Sequence, residues 1–287
     1  MKKIFFIPLI AMVLMSFKGD KLAYKLFNQK GEQASYTSLV KKIKDADIVF
    51  FGESHNNPIS HWLELEVTKD LYEAKEGNVI LGAEMFEADN QLIVDEYLAK
   101  KYAAKKFEAE CRLWPNYTTD YKPLMDFALA NKIPFIATNI PRRYASIVYK
   151  KGFEGLDDLS AEAKKYIAPL PIFYDAEQDA YKSMREMSGM PAHMTVNLPK
   201  AQAIKDATMA YFIHKNLKKG STFLHYNGSY HSDKFQGIIY YLKRLNPDLK
   251  IVTITSVSQK DIEKLDDENK KLADFIIAID EDMTTTY

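Results

Sequence analysis

The chain has 287 residues, 47% hydrophobic and 27% charged, a globular composition that excludes a disordered or largely membrane-embedded protein. Lysine plus arginine and aspartate plus glutamate both number 39, so the formal charge is zero. This balance offers no basic excess to nucleic acid or to an anionic bilayer, and no nucleic-acid partner is expected.

Lys2 and Lys3 precede an apolar run from Ile4 to Phe17, and Lys18, Gly19 and Asp20 restore polarity. A basic start and a short apolar core form the layout of a secretory signal peptide, and the run is shorter than the roughly 20 residues a spanning helix needs. Residues 1–20 are therefore expected to be a signal peptide and residues 21–287 an exported domain of the periplasm or cell envelope. The single cysteine, Cys111, allows no internal disulfide, and no lipid-bearing cysteine is expected beside the leader.

Short β-branched or aromatic runs then alternate with helical patterns. Ile48-Val49-Phe50-Phe51 ends at Gly52, Val79-Ile80-Leu81 at Gly82, and Ile133-Pro134-Phe135-Ile136-Ala137 at Thr138-Asn139. Thr222-Phe223-Leu224 ends near His225 and Tyr226, and Lys250–Ser256 and Phe275–Ile279 complete the set. Continuous apolar runs suit strands buried on both faces of a parallel sheet. Asn57 is expected to cap a first helix, with Pro58 at its first position; Asp89 caps a second and Pro123 opens a third. Lys200–Lys219 is long and amphipathic, with Ile204, Ala207, Tyr211 and Phe212 inward and Gly220 as its stop, and a further helix spans Phe235–Leu245. From about 152 to 199 there are helical pieces but no strand pattern, and Tyr174, Tyr181, Met184, Met187, Met190, His193 and Met194 fall there. The expected fold class is α/β, a right-handed parallel sheet flanked by helices with a small helical subdomain at about 152–199.

Ligands of open parallel sheets bind outside the carboxyl ends of the strands, so the polar residues that follow the apolar runs are the candidates. They are Glu53 and His55, with His61 a turn further on, then Glu84, then Asn139, Arg142 and Arg143, then Tyr230 and His231. Histidine nitrogen and carboxylate oxygen together suit a divalent ion such as zinc or manganese, and His55, Glu84 and His231 are the expected ligands. Taken singly, Glu53 and Glu84 are equally explained as helix caps or as ion-pair partners of Arg142 and Arg143, and His61 as a hydrogen-bonded core histidine. The absence of a P-loop or G-x-G-x-x-G motif argues against a nucleotide. Ser54 lies in Gly52-Glu53-Ser54-His55 rather than a nucleophile elbow.

The pieces IVFFGESHNNPISH, VILGAEMFEADNQ, Trp114–Ala128 ending in YKPLMDFA, IPFIATNIPRR, IKDATMAYF and HYNGSYH occur in order over residues 47–145 and 200–240. In these motifs the chain resembles the ChaN-like haem-binding family, within the wider TIKI and erythromycin-esterase-like group. The resemblance implies haem as cofactor, held between two subunits, and a role in haem and iron uptake with outer-membrane uptake machinery. It also implies a tyrosine on the iron and a histidine and a lysine on the propionates. Tyr174 and Tyr181 are the candidate ligands and Tyr230 the next, while Arg142, Arg143 or Lys200 are expected at the propionates. In the wider group the Gly-x-x-His matched by Gly52–His55 and the glutamate matched by Glu84 belong to a hydrolase active site. Three readings stand at this point: a haem-binding uptake protein; a metal-dependent hydrolase in which His55, Glu84 and His231 hold the ion and Glu53 activates water; and a module that binds a small anion.

Overall fold

The computed structural model describes residues 21–185 and 196–287. The expected signal peptide, and Met187, Met190, His193 and Met194 of the helical stretch, lie outside the described residues.

Seven strands form one sheet: β1 Tyr24–Asn28, β2 Ile48–Glu53, β3 Val79–Glu87, β4 Phe135–Asn139, β5 Thr222–Gly228, β6 Ile251–Gln259 and β7 Phe275–Asp280. Their order is β1-β7-β6-β2-β5-β3-β4. All neighbours run parallel except β1, which pairs antiparallel with β7 at the edge. β1 is the one strand the apolar runs did not announce. Its five residues include only two that are fully buried, so it shows no continuous apolar run.

Every residue of β2, β3 and β5 is buried, as central parallel strands require. Successive side chains point to opposite faces. Val49, Phe51, Leu81 and Tyr226 join one core with Leu63, Val67 and Leu71 of the helix Pro58–Ala74. Ile48, Phe50, Ile80 and Phe223 join the other with Ala207, Ala210 and Ile213 of the long helix Leu198–Asn216. The chain leaves β2 for β3 and β4, returns to place β5 between β2 and β3, and then crosses to β6 on the far side of β2. Helices leaving these strands therefore diverge, which opens a crevice at the carboxyl ends of β2, β5 and β3.

Two helices start where their N-terminal residues predict. Asn57 accepts from Ile59 N at 3.0 Å and Ser60 N at 3.1 Å at the head of the helix Pro58–Ala74, with Pro58 in the first turn. Pro123 lies in the first turn of the helix Lys122–Asn131, which a π-helical turn, Tyr117–Tyr121, precedes. Asp89 is not a cap: the helix after β3 begins at Gln91 behind a 3-10 turn, Ala88–Asn90. The Asp89 carboxylate binds Arg112 and Arg143 instead. The long helix is Leu198–Asn216, ending before the expected Lys219, and Tyr211 and Phe212 are only half-buried.

No strand is found among the described residues of 152–199. Leu156 and Ile167 from that stretch share a core with Tyr144 and Val148 of the helix Arg142–Lys151 and with Ile204 of the long helix. The stretch thus braces the two helices that border the crevice.

Gly82 marks a place where strand packing admits no side chain. A Cβ there would stand 2.7 Å from the Phe223 ring and 3.2 Å from the Ile136 carbonyl oxygen. Gly82→Ala is expected to destabilise the protein by about 1–3 kcal/mol through overpacking. Urea denaturation checks this.

Candidate functional site

The registers Gly52↔Asn227 and Glu53↔Gly228 bring the ends of β2 and β5 side by side, and Glu84 lies on β3 beyond the Ala83↔Tyr226 pair. Four candidates therefore meet: Glu53, His55, Glu84 and His231. They divide into two linked clusters.

The first is a chain of buried charges. His231 faces Asp206 from Nδ1 at 2.5 Å and Glu84 from Nε2 at 3.1 Å, so each ring nitrogen has a carboxylate. The other Glu84 oxygen accepts from Gly228 N at 2.9 Å, and Tyr181 donates to the other Asp206 oxygen at 2.7 Å. Burial alone would lower the His231 pKa, but Glu84 and Asp206 raise it from its ordinary 6.5 to about 10. Burial likewise pushes Glu84 up, but the His231 charge and hydrogen bond hold it far below the usual carboxylate range. Asp206 stays raised by burial, only partly offset by His231 and Tyr181. His231 is thus an imidazolium clamped between two carboxylates.

The second cluster lies beneath His55. His55 Nδ1 meets Glu53 Oε1 at 2.7 Å, and Tyr121 donates to the same oxygen at 2.7 Å. His61 Nδ1 faces Glu64 Oε2 at 3.1 Å and Glu53 Oε2 at 3.4 Å. His61 Nε2 faces the His55 carbonyl at 3.0 Å, and Asn116 ties that carbonyl to Asp120 with hydrogen bonds of 3.0 and 2.7 Å. Burial, then the Glu64 charge, raises Glu53 to about 8 against the pull of His55. Burial likewise raises Glu64 to about 8, with the Glu53 hydrogen bond opposing and the Asp120 charge adding. For His55, burial is outweighed by the Glu53 hydrogen bond and the Glu84 and Glu53 charges, so its pKa is raised.

Above both lies an open cleft of about 590 Å³. Its floor is His55, Glu84 and Asn139; its walls are Leu113, Trp114, Pro115 and Ile140; and Arg142 and Lys205 stand at its edge with Glu87. The Trp114 ring meets His55 edge-on at 4.9 Å. Arg142 gives only Nε to Glu87, at 2.7 Å, and its side chain is 68% exposed, so its remaining donors face outward.

The other candidates separate. Asn139 donates to the Glu84 carbonyl at 2.9 Å. Arg143 is held by Asp89 and lies over the Tyr144 ring, and Lys200 does not line the cleft. Tyr181 is fully buried on Asp206 with its pKa driven far above the usual phenol range by burial and by that carboxylate, so it is not poised as a tyrosinate. Tyr174 is half-buried between Phe153 and Tyr181, whereas Tyr230 is 67% exposed and lines a separate depression with Asp179 and Lys234. Among the described residues, the group whose ligand atoms lie within 4.8 Å of one another is Glu53, His61 and Glu64; the expected set of His55, Glu84 and His231 is not such a group. Both His231 nitrogens are already committed. Cys111 is buried, with its thiol pushed up to about 12.

Tyr181→Phe is expected to cost about 1.5–3 kcal/mol, the range for a lost hydrogen bond to a buried charge. A melt of the two proteins measures it, and ligand spectra should not change.

Asp206, Lys205 and Gln202 from the long helix, the last with its side-chain amide 3.1 Å from both His231 nitrogens, and Trp114, Asn116, Asp120 and Tyr121 before the Lys122 helix, complete the site, as does Glu64. None was singled out as a site residue from the sequence. The available signal was a charge on a buried face: Asp206 stands among Ala203, Ala207 and Ala210, and Glu64 among Leu63, Val67 and Leu71.

Fold and site together define a mostly parallel α/β protein with an open cleft, lined by charges of both signs, over a buried histidine–carboxylate network. The sequence profile of the family described as haem-binding uptake, Tiki superfamily, ChaN, matches residues 39–242, and the chain belongs to that family. Among solved structures, ChaN of Campylobacter jejuni, described as binding haem cofacially, is 16% identical with a TM-score of 0.66, covering 88% of this chain and 96% of its own. A Bacillus cereus protein is 12% identical with a TM-score of 0.51, covering 90% and 95%. The erythromycin esterase EreC is 9% identical with a TM-score of 0.47, covering 83% and 77%. Comparison with the curated proteins found no match. Among the described residues no helix is long and apolar enough to cross a membrane.

Proposed function

We propose that this protein binds haem at the strand-end cleft and serves haem or iron acquisition at the cell envelope after export. The observation that carries this reading, beside family membership, is the cleft itself. It joins His55, Lys205 and the free donors of Arg142 to the apolar surfaces of Trp114, Leu113 and Ile140. A porphyrin edge needs apolar contact and its two propionates need cations, so these residues fit one end of haem. Haem, when bound, supplies an iron that takes an axial oxygen ligand. Of the candidate tyrosines, Tyr181 is committed to Asp206 and neither Tyr174 nor Tyr230 lines the cleft, so an iron bound there would take a tyrosine from a second copy of the chain. A porphyrin seated in so open a cleft would have a face uncovered, and the second copy would close it. Delivery to or from outer-membrane uptake machinery is the corresponding role.

Haemin titration of the purified protein tests this reading. A Soret band that saturates at fixed stoichiometry, with a monomer-to-dimer shift in sedimentation, is expected. Lys205→Ala should weaken binding by about tenfold, the worth of one charged hydrogen bond. Haemin that fails to saturate would remove the reading. Sequencing the N-terminus of protein from the envelope fraction tests export, and an intact Met1 on cytoplasmic protein would count against it.

A second reading is favoured by one observation. Glu53 holds His55 by Nδ1 at 2.7 Å, leaving Nε2 over Gly228 at the cleft floor. A histidine so oriented by a carboxylate is built as a general base, which suits hydrolysis. Turnover of a panel of esters and amides that disappears in His55→Ala would support it.

A further inference from the structure

We propose that Glu53, His61 and Glu64 hold a divalent cation of the zinc or manganese class beneath the cleft. This stands independently of the haem reading.

His61 Nε2 points at the His55 carbonyl, an oxygen that only accepts, so Nε2 carries the ring proton. In the neutral ring, Nδ1 is then a bare lone pair. It is aimed at two carboxylate oxygens, Glu64 Oε2 at 3.1 Å and Glu53 Oε2 at 3.4 Å. With His61 neutral and both glutamates ionised, three acceptors converge with no donor between them; in the ion's absence the protons that burial favours on Glu53 and Glu64 fill that gap. Of the three acceptors, Glu53 Oε2 is buried and without a hydrogen-bond partner, as is Oε1, the other oxygen of Glu64. Buried acceptors left unmatched are costly, and the convergence of the three on one point suits a positive centre.

The spacing suits a metal. Ligands about 2.0–2.1 Å from a tetrahedral ion lie about 3.3–3.4 Å from one another. The donor set of one imidazole nitrogen and carboxylate oxygens matches borderline divalent ions. The surroundings also support the ligands: the His55 carbonyl orients His61, and Tyr121 and His55 hold the other Glu53 oxygen. Asp120, whose Oδ2 is 3.4 Å from His61 Nε2, adds a third buried negative charge. Once the ion displaces the protons of Glu53 and Glu64, these two and Asp120 together outweigh its two charges, so the cluster accepts it without an excess of positive charge. His55 hangs from Glu53, and the ion would therefore stiffen the floor of the cleft.

The full-length, haem-free protein tests the proposal. Metal analysis of protein purified without chelator should find close to one zinc or manganese per chain. After dialysis against EDTA, added ZnCl2 or MnCl2 should raise the melting temperature. Glu64→Gln, which keeps shape and removes one anionic ligand, should weaken that binding at least tenfold, as should His61→Asn. His214→Ala, at an exposed histidine away from the cluster, should not. Native protein that carries no metal and whose melting temperature ignores both ions up to millimolar concentration would overturn the proposal and leave protons to hold the cluster. Metal binding that survives both cluster substitutions would overturn it too, by placing the ion elsewhere. The native measurements do not depend on whether either variant folds.

Discussion

His231→Ala is expected to destabilise the protein by about 3–5 kcal/mol at neutral pH, the range for breaking a buried ion pair by removing one partner. The imidazolium sits between Glu84 and Asp206, all three are buried, and no other cation lies within salt-bridge distance of either carboxylate among the described residues. Alanine would leave both carboxylates uncompensated. The effect should depend on pH in a definite direction. The His231 pKa is raised from 6.5 to about 10, so its contribution is complete below about 6.5 and disappears as pH rises through about 10. Glu84 is shifted down, so its contribution is present above its ordinary 4.5 and lost only as pH falls through its depressed value. Asp206 is shifted up, which subtracts from stability above its ordinary 3.8. Urea denaturation of both proteins should show the widest gap near neutral pH and a narrowing gap towards pH 10. A gap that widens with alkalinity would mean that His231 is neutral in the fold.

Gly228→Ala is expected to spare the fold and reduce haem affinity by about ten- to a hundredfold, equivalent to losing one charge-assisted contact. Its backbone, at φ −55° and ψ 138°, admits alanine, and its N–H can still donate to Glu84. The added Cβ, however, would stand 2.7 Å from Cε1 and Nε2 of His55. His55 is half-exposed and can swing away, which takes it off Glu53 and out of the cleft. Haemin titration and a thermal melt on the same preparation separate the two consequences. Unchanged affinity would show that His55 does not meet the ligand.

These two positions also show how far the site was legible from residues alone. Glu53, His55, Glu84 and His231 each follow a run of buried apolar residues in a parallel strand, and that topology gathers such residues at one edge. Gly228 and Gly52 follow from the same logic. Asp206 and Glu64 do not, because a helix announces its buried face by apolar spacing, and one charge within that face looks like an interruption until its partner is known. The partners, His231 and His61, are chosen by packing between distant segments. Tyr181 shows the converse. Its place in a Met- and Tyr-rich helical stretch suggested an iron ligand, but its hydroxyl reaches Asp206 across 25 positions of chain. β1 escaped because a short edge strand lacks the apolar run of the central strands.

A crystal structure of the haemin complex shows whether the cleft over His55 is the ligand site. Propionates should lie against His55, Lys205 or Arg142, with the porphyrin edge on Trp114 and its open face covered by a second copy. Haemin seated instead in the groove beside Phe173, Tyr211 and His214, with the strand-end cleft free, would contradict this placement.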